Sequence, residues 1–255
     1  MTTLSRVPVA PAVARAAAAL EVLGSAAGVA VGLGELSRRL GCPKSSLANV
    51  MTELVAAGLV RRTEAGFLLG RRLAELGGAY LANVDIVQAF RAACAVLPAA
   101  GPETMQLAVL DRLEVVYIAR HNGVQPIRFM VSDIGRRLPA TCTALGKAAL
   151  ATLNNDELEA HLRDVVVLPR MTSHSLQTLD DLRDDLARVR QRGFAIDDEE
   201  TTEGVICYAV AVPRVATTAD VHAVSVTLLK VRVETSYIRT LVGDLGRLAA
   251  ELGGL

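Results

Sequence analysis

The chain has 255 residues, 51% of them hydrophobic and only 3% aromatic, with no Trp and equal numbers of acidic and basic side chains. This length accommodates one large domain or two unequal ones, and the hydrophobic content excludes disorder over most of the chain. No apolar run reaches the roughly 18 residues of a membrane span. The N-terminal segment is interrupted by Pro8 and Pro11, which excludes a secretory signal.

The four cysteines are far apart in the sequence, with no CxxC pair and no His at ligand spacing. This pattern argues against a structural zinc site and against a disulfide framework, and it fits a reducing compartment. We therefore expect a cytoplasmic protein that carries no metal and no cofactor.

The net charge of zero conceals an asymmetry along the chain. Residues 1–80 carry nine Arg and Lys against five Glu, whereas residues 81–255 carry eighteen basic against twenty-two acidic side chains. A basic first segment favours contact with a polyanion such as DNA, provided that a binding motif lies within it.

Three helices are predicted in the first segment. The first covers Ala12–Leu23 and the second Gly34–Leu40, with a turn at Gly41. Pro43 fits the first position of the third helix, because its missing N–H is not needed there, and Gly58 closes this helix in the left-handed conformation. The buried stripe of the third helix would consist of Leu47, Val50, Met51, Leu54 and Val55.

A β-hairpin is predicted directly after the third helix, from strand-like residues 59–62 and 67–69 around a turn at residues 63–66. This order of elements is that of a winged helix-turn-helix: two short helices, a third helix with a polar outer face, and then a hairpin. In such a domain the third helix enters the major groove. The predicted DNA-binding residues are Lys44, Ser45, Ser46, Asn49, Arg61 and Arg62.

These residues have different predicted roles. Asn49 is the candidate for reading a base, whereas Lys44, Ser45 and Ser46 lie at a helix N-terminus, which favours phosphate. The alternative is an ordinary solvated helix face, and one of the two wing arginines could pair with Glu64 instead of DNA.

Residues 71–97 form a predicted helical linker with a break near Asn83-Val84-Asp85, and residues 98–255 form a second domain. Strands and helices alternate there, which indicates an α+β class. The predicted strands are Met105–Leu110, Glu114–Arg120, Ile127–Val131, Val205–Val212 and His222–Leu229, and the predicted helices are Thr143–Leu153, Asp156–Leu162, Thr178–Arg192 and Ser236–Leu252.

Several polar residues of this second domain could line one pocket. Ser225 and Thr227 share one strand face, and Cys207 lies in another apolar strand. The helix that begins near Thr143 presents backbone N–H groups suited to a carboxylate. Of the four acids at residues 197–200, Asp197 is expected to point into the pocket and the other three to face water.

Several segments, taken in chain order, resemble the IclR family of bacterial regulators over roughly residues 12 to 250. They are Ala12-Val13-Ala14-Arg15-Ala16, the helix-turn-helix from Leu36 to Ser46, the wing and its exit from Gly66 to Leu73, Gly135-Arg136-Arg137-Leu138-Pro139 followed by Thr143 to Ala148, and Arg192 to Glu200 followed by Gly204 and Cys207. The whole set occurs in the family's order and spacing.

This resemblance implies a winged helix-turn-helix joined by a linker helix to a larger GAF-like domain with an antiparallel sheet and flanking helices. It also implies a homo-oligomer, a dimer or dimer of dimers, that binds double-stranded DNA and a small organic or aromatic acid. By position, the effector residues would be Ile127, Met130, Ala144, Leu145, Asp197, Cys207, Ser225 and Thr227.

Two positions depart from the family pattern. Asn49 stands where relatives often have Arg, and since Asn pairs with adenine whereas Arg prefers guanine or phosphate, the operator sequence is not transferable. Ala144-Leu145 replaces the smaller residues of relatives that bind very small acids, so Leu145 narrows or reshapes the pocket.

A transcriptional regulator whose effector modulates operator binding through the linker is the leading hypothesis. The first alternative is an enzyme acting on a small carboxylic acid through Cys207 or Asp197, although no general base, metal set or phosphate loop accompanies them. The second is a DNA-binding protein that oligomerises but senses no ligand, its pocket being filled by Leu145 and Met130.

Overall fold

A computed structural model describes residues 9–98, 102–124, 133–214, 220–232 and 234–254. The chain divides into two compact units, Met1–Asn83 and Val84–Leu255. The division coincides with the break that the sequence predicts near Asn83, so the second half of the predicted linker packs with the second unit. Within the described ranges, no helix combines the length and apolarity needed to cross a membrane.

The first unit has the helix and strand order of a winged helix-turn-helix, as predicted. Its elements are α1 (Pro11–Ser25), α2 (Leu33–Leu40), α3 (Lys44–Ala56), β1 (Val60–Thr63), β2 (Gly66–Leu69) and α4 (Arg72–Ala82). One detail of the prediction is wrong: Pro43 is the N-cap residue of α3 and not its first helical residue, with an extended backbone (ψ 138°). Its carbonyl accepts the first helical hydrogen bond, from Leu47 N at 3.1 Å, and the fixed φ of proline suits either position.

The core of the first unit joins the three helices to the wing. Its buried residues are Ala19, Leu23, Val31, Leu36, Leu47, Met51, Leu54, Val60 and Phe67. Val31 exchanges two backbone hydrogen bonds of 2.9 Å with Phe67, which ties the wing to the segment before α2. This approach requires glycine at Gly66, which has φ +140° and whose added Cβ would lie 2.6 Å from the carbonyl oxygen of Val31.

The second unit contains a six-stranded antiparallel sheet in the order β5-β4-β3-β8-β7-β6, which confirms the α+β class. Its strands are β3 (Thr104–Asp111), β4 (Glu114–His121), β5 (Arg137–Pro139), β6 (Ala195–Asp198), β7 (Val205–Ala211) and β8 (His222–Leu229). The helices are α5 (Asp85–Cys94), α6 (Ala144–Ala151), α7 (Asn155–Leu162), α8 (Leu179–Arg192) and α9 (Thr235–Leu252). The predicted strand Ile127–Val131 lies outside the described residues.

Helices cover both faces of this sheet. Strand β8 alternates, so Ala223, Ser225 and Thr227 face one side, where α6 packs, with α8 against it. The other side of the strand carries apolar residues and faces α9, whose buried residues include Leu241, Leu245, Leu248 and Leu252. Helix α5 packs against β3, β4 and α9, which explains why it belongs to the second unit.

Helix α6 approaches the preceding segment so closely that only glycine fits at Gly146. A Cβ added there would lie 2.2 Å from the Cα and oxygen atoms of Ala140. We expect Gly146→Ala to lower the free energy of unfolding by about 1–3 kcal/mol, because the helix must move away from Ala140. The measurement is urea denaturation of the purified protein.

Gly243→Ala in α9 is the matched control. No described atom lies within 4 Å of its added Cβ, and the residue is helical. This variant is expected to gain about 0.5–1 kcal/mol of stability, because alanine restricts the unfolded chain. Equal effects of the two substitutions would contradict the close packing at Gly146.

Candidate functional site

The exposed face of α3 carries three polar side chains in one line. Ser45, Asn49 and Thr52 follow the spacing i, i+4, i+7 and are all exposed, opposite the buried Leu47, Met51 and Leu54. The sequence interpretation named Ser45 and Asn49 but missed Thr52, whose hydroxyl donates to the carbonyl of Ala48 at 3.0 Å. The same helical spacing would have identified it.

The N-terminus of α3 has the features of an anion site. Its first turn contains no acidic residue and its N-cap offers no side-chain hydrogen bond. In the part of the chain that the structure describes, the backbone N–H groups of Lys44, Ser45 and Ser46 have no hydrogen-bond acceptor. These groups, the helix dipole and the exposed Lys44 ammonium all favour a phosphate at this end.

The two wing arginines are exposed on β1. The Arg62 guanidinium lies 6.0 Å from the centre of the Phe67 ring, on the neighbouring strand. Among the described residues, neither Arg61 nor Arg62 forms an ion pair, so the alternative pairing with Glu64 is absent there. Both cations are therefore exposed and can bind an anion.

A cavity of about 30 Å³ lies between the sheet of the second unit and the beginning of α6. Six of the eight predicted effector residues line it, whereas Ile127 and Met130 lie outside the described residues. The lining consists of Gln106, Tyr117, Leu138, Thr143, Ala144, Leu145, Asp197, Thr201, Thr202, Val205, Cys207, Ser225 and Thr227. The structure thus brings together residues that are far apart in the sequence.

A hydrogen-bonded group of polar side chains forms the sheet wall of this cavity. The hydroxyls of Ser225 and Thr227 donate to Gln106 Oε1 at 2.8 and 3.0 Å, and Cys207 Sγ lies 3.3 Å from Thr227 Oγ1. The side chain of Gln106 is buried, yet the sequence interpretation missed it. The feature of the sequence that could have identified Gln106 is that it is a single amide side chain within the apolar run of β3.

The α6 wall of the cavity carries backbone donors. Thr143 is the N-cap of α6, and its hydroxyl accepts a hydrogen bond from Gly146 N at 2.9 Å. Within the described chain, the N–H groups of Ala144 and Leu145 have no acceptor. They are the donors that the sequence analysis expected for a carboxylate.

Asp197 holds the turn that follows β6. Its carboxylate accepts hydrogen bonds from Glu200 N at 2.8 Å, Thr201 N at 3.1 Å and Thr201 Oγ1 at 2.5 Å. Burial raises the pKa of Asp197, although these hydrogen bonds oppose that effect. Asp197 therefore lines the cavity and also fixes the local backbone.

The expectation that all three following acids face water is wrong for Glu200. Its carboxylate is buried and pairs with Lys147 of α6, which also pairs with Asp185 of α8 at 3.0 Å. Strand alternation fails here because Glu199 adopts the left-handed region (φ +63°), so the chain turns and directs Glu200 inward. Asp198 is exposed, and Glu199 meets Lys230 at 2.5 Å.

The stability of the second unit should depend on pH through Glu200. Burial raises the pKa of Glu200 from 4.5 to about 7, with like charges at Asp197 and Asp185 contributing and Lys147 opposing. Because the folded state retains this proton more strongly, stability is fully present below pH 4.5 and is lost as the pH rises to about 7. We expect the wild type to lose about 1–3 kcal/mol more than Glu200→Gln between pH 5 and 7.5.

Urea unfolding at the two pH values measures this difference. Glu159→Gln removes an exposed carboxylate and serves as the control, for which we expect the wild-type pH dependence. A wild type and a Glu200→Gln variant with the same pH dependence would refute the role of Glu200.

The thiol of Cys207 is poorly suited to nucleophilic chemistry. Burial raises its pKa well above the usual range, and the nearby Asp197 charge raises it further, so the thiol is protonated at neutral pH. Among the described residues, no group of three or more His, Cys, Asp or Glu could hold a metal ion.

Comparison with known proteins agrees with this architecture. Residues 12–64 match the IclR helix-turn-helix domain, and residues 78–253 match the C-terminal domain of the bacterial transcriptional regulator IclR. The regulator SauR of Cupriavidus necator is 30% identical over 94% of each chain. KdgR of Dickeya chrysanthemi is 34% identical over 71% of this chain, which spans only 60% of that protein.

A solved structure shares the fold. An IclR homologue from Microbacterium hydrocarbonoxydans, crystallised with 4-hydroxybenzoate, superposes with a TM-score of 0.76 at 22% identity, over 96% of this chain and 100% of that one. Both family models and the regulator relatives thus agree with the two units of the structure. The chain belongs to the IclR family of bacterial transcriptional regulators.

Proposed function

We propose that this chain is a one-component regulator that binds an operator through its first unit and a small organic acid through the cavity of its second. The convergence of six predicted effector residues on one cavity is the observation that carries this proposal. The cavity has backbone donors on the α6 side and polar side chains on the sheet side, an arrangement suited to a small polar anion.

Operator binding is proposed for α3 and the wing. The line of Ser45, Asn49 and Thr52 faces outward, whereas Arg61 and Arg62 are exposed on the hairpin. In this geometry α3 reads base edges in the major groove, and its N-terminus and the wing bind phosphates.

A homo-oligomer is proposed from the surface of α4. This helix contains no buried residue, and its large apolar side chains Leu76 and Tyr80 are 49% and 57% exposed. A second copy of the chain would cover them, and the linker would then transmit effector binding to the spacing of the two DNA-binding units. Such transmission requires that the effector bind two arrangements with unequal affinity.

The effector class follows from the cavity and from the family. A small organic acid, aromatic or aliphatic, would place its carboxylate against the N–H groups of Ala144 and Leu145. The 4-hydroxybenzoate complex of the Microbacterium homologue is consistent with that class. A cavity of about 30 Å³ holds only about two water molecules, so the effector must displace Leu145 or its neighbours.

The small volume also favours a second candidate, a DNA-binding protein that oligomerises without a ligand. In that case Leu145 fills the pocket as part of the core. An enzyme acting through Cys207 or Asp197 is disfavoured by the protonated thiol and by the hydrogen bonds that tie Asp197 to its turn.

The test begins with selection of fragments of the source genome by the purified protein across a salt series. A shared, roughly palindromic site whose affinity falls steeply with salt supports the regulator. Sequence-blind binding at every salt concentration would refute it. Titration of the operator complex with a panel of organic acids then separates the two candidates, because only the effector-binding regulator changes its operator affinity.

A further inference from the structure

The hydroxyl groups on the sheet wall of the cavity donate their hydrogen bonds in a defined direction. A hydroxyl carries one hydrogen and two lone pairs, and those of Ser225 and Thr227 both give their hydrogen to Gln106 Oε1, at 2.8 and 3.0 Å. What these hydroxyls can offer to the cavity is therefore lone pairs and not hydrogens. The adjacent Cys207 thiol, 3.3 Å from Thr227 Oγ1, is then the donor in that contact.

Asp197 adds acceptors to the same cavity. Its Oδ1 accepts hydrogen bonds from the backbone N–H groups of Glu200 and Thr201, and its Oδ2 accepts one from the Thr201 hydroxyl, so within the described residues Oδ2 keeps a lone pair for the cavity. The two walls of the cavity therefore differ in the hydrogen-bonding groups that they offer. The beginning of α6 offers N–H donors at Ala144 and Leu145, whereas the part of the sheet wall formed by Ser225 and Thr227 offers acceptors.

We propose that Gln106 orients the Ser225 and Thr227 hydroxyls so that the cavity selects small acids bearing a hydroxyl donor over the matched keto acids. This inference rests on the proposed effector function and names the class of effector. The carboxylate of such an acid meets the α6 donors, and its hydroxyl donates to the sheet wall. A keto oxygen in that place would face the lone pairs of the wall with no hydrogen between them.

The expected discrimination is about tenfold in dissociation constant, the effect of one neutral hydrogen bond made or lost in a buried site. The test is isothermal titration of the full-length protein with two matched pairs of acids. Lactate and pyruvate differ only in the hydroxyl and keto groups, and 4-hydroxybenzoate and 4-fluorobenzoate differ in the presence of a donor. The hydroxy member of at least one pair is expected to bind about tenfold more tightly than its partner.

The variant Gln106→Met tests whether the Gln106 amide positions the hydroxyls of Ser225 and Thr227. Methionine has nearly the same volume but accepts hydrogen bonds only weakly, so both hydroxyl hydrogens become free to rotate towards the ligand. We expect the preference to fall to within about twofold or to reverse. Gln106→Glu retains an acceptor for both hydroxyls and should preserve the order of affinities, a pattern that a merely structural role of Gln106 would not produce.

The outcomes separate the inference from the proposed function. If no acid of the panel, these two pairs included, binds or alters operator affinity, the effector function fails and the inference with it. If keto and hydroxy acids bind the wild type equally well, the effector function stands and the inference is wrong. If Gln106→Met does not fold, Thr227→Val and Ser225→Ala each remove one oriented hydroxyl, and an unchanged preference in both would also overturn the inference.

Discussion

Lys147→Met is expected to lower the free energy of unfolding by about 3–5 kcal/mol, because it leaves the buried Glu200 carboxylate without its cation and removes one of the cations that pair with Asp185. The Lys147 side chain is 1% exposed, and its ammonium pairs with both Asp185 and Glu200. Removing one partner of a buried ion pair is costly even when the intact pair contributes little net stability. The loss is measured by urea denaturation at pH 7.5.

Arg183→Met is the matched control on the neighbouring helix. Arg183 pairs with Glu159 and Asp180 at 3.0 Å, but its side chain is 41% exposed, so water replaces the lost contacts. We expect a loss of no more than about 1 kcal/mol. A Lys147→Met variant no less stable than this control would contradict the importance of the buried cluster.

The stability lost in Lys147→Met should also depend on pH and on whether residue 200 carries a charge. Because the pKa of Glu200 is about 7 even beside the lysine, protonation of Glu200 at pH 5 removes the stranded charge. We therefore expect a smaller effect of Lys147→Met at pH 5 than at pH 7.5. Adding Glu200→Gln to the variant should recover part of the stability at pH 7.5, because it neutralises the same charge permanently.

Local patterns in the sequence predicted most elements of the fold. Thr178 and Asp181 form a capping box at the start of α8, and Gly193 ends that helix in the left-handed conformation. These signals act within one or two turns of chain, which is why they can be read without a structure. Strand β5 was missed because only three residues pair there and one of them, Pro139, has no N–H to donate.

The candidate cavity was predictable only in part. Ser225 and Thr227 were identified together since residues two apart share a strand face, whereas their meeting with Ala144 and Leu145 came from the family resemblance. The bond of Glu200 to Lys147 joins residues 53 positions apart, and it depends on a turn whose left-handed residue is not glycine. No periodicity in the chain signals such a contact.

The buried cluster and the cavity share two short stretches of chain. Ala144 and Leu145 line the cavity at the start of α6, and Lys147 follows within the same turn. Asp197 lines the cavity, and Glu200 follows in the turn that Asp197 holds. The ion cluster anchors the backbone of both stretches, so admitting an effector requires movement of side chains such as Leu145 and not of the backbone.

Asn49→Ala is expected to weaken operator binding by about 1–3 kcal/mol, or roughly five- to 150-fold, and to relax the preference at one base pair. Asn49 is exposed at the centre of the outward line on α3, and its amide can donate to and accept from the same adenine. The measurement is fluorescence anisotropy with the selected operator and with variants of each base pair. Asn155→Ala, an exposed asparagine of α7 in the second unit, is the control.

Comparison with Lys44→Ala distinguishes base reading from phosphate binding. Losing a phosphate contact should weaken binding to all sequences alike and reduce the salt dependence by about one ion, whereas Asn49→Ala should leave the salt dependence unchanged. If Asn49→Ala weakened specific and non-specific DNA equally, Asn49 would be a backbone contact. Base recognition would then lie with Ser45 and Thr52, the other two members of the exposed line.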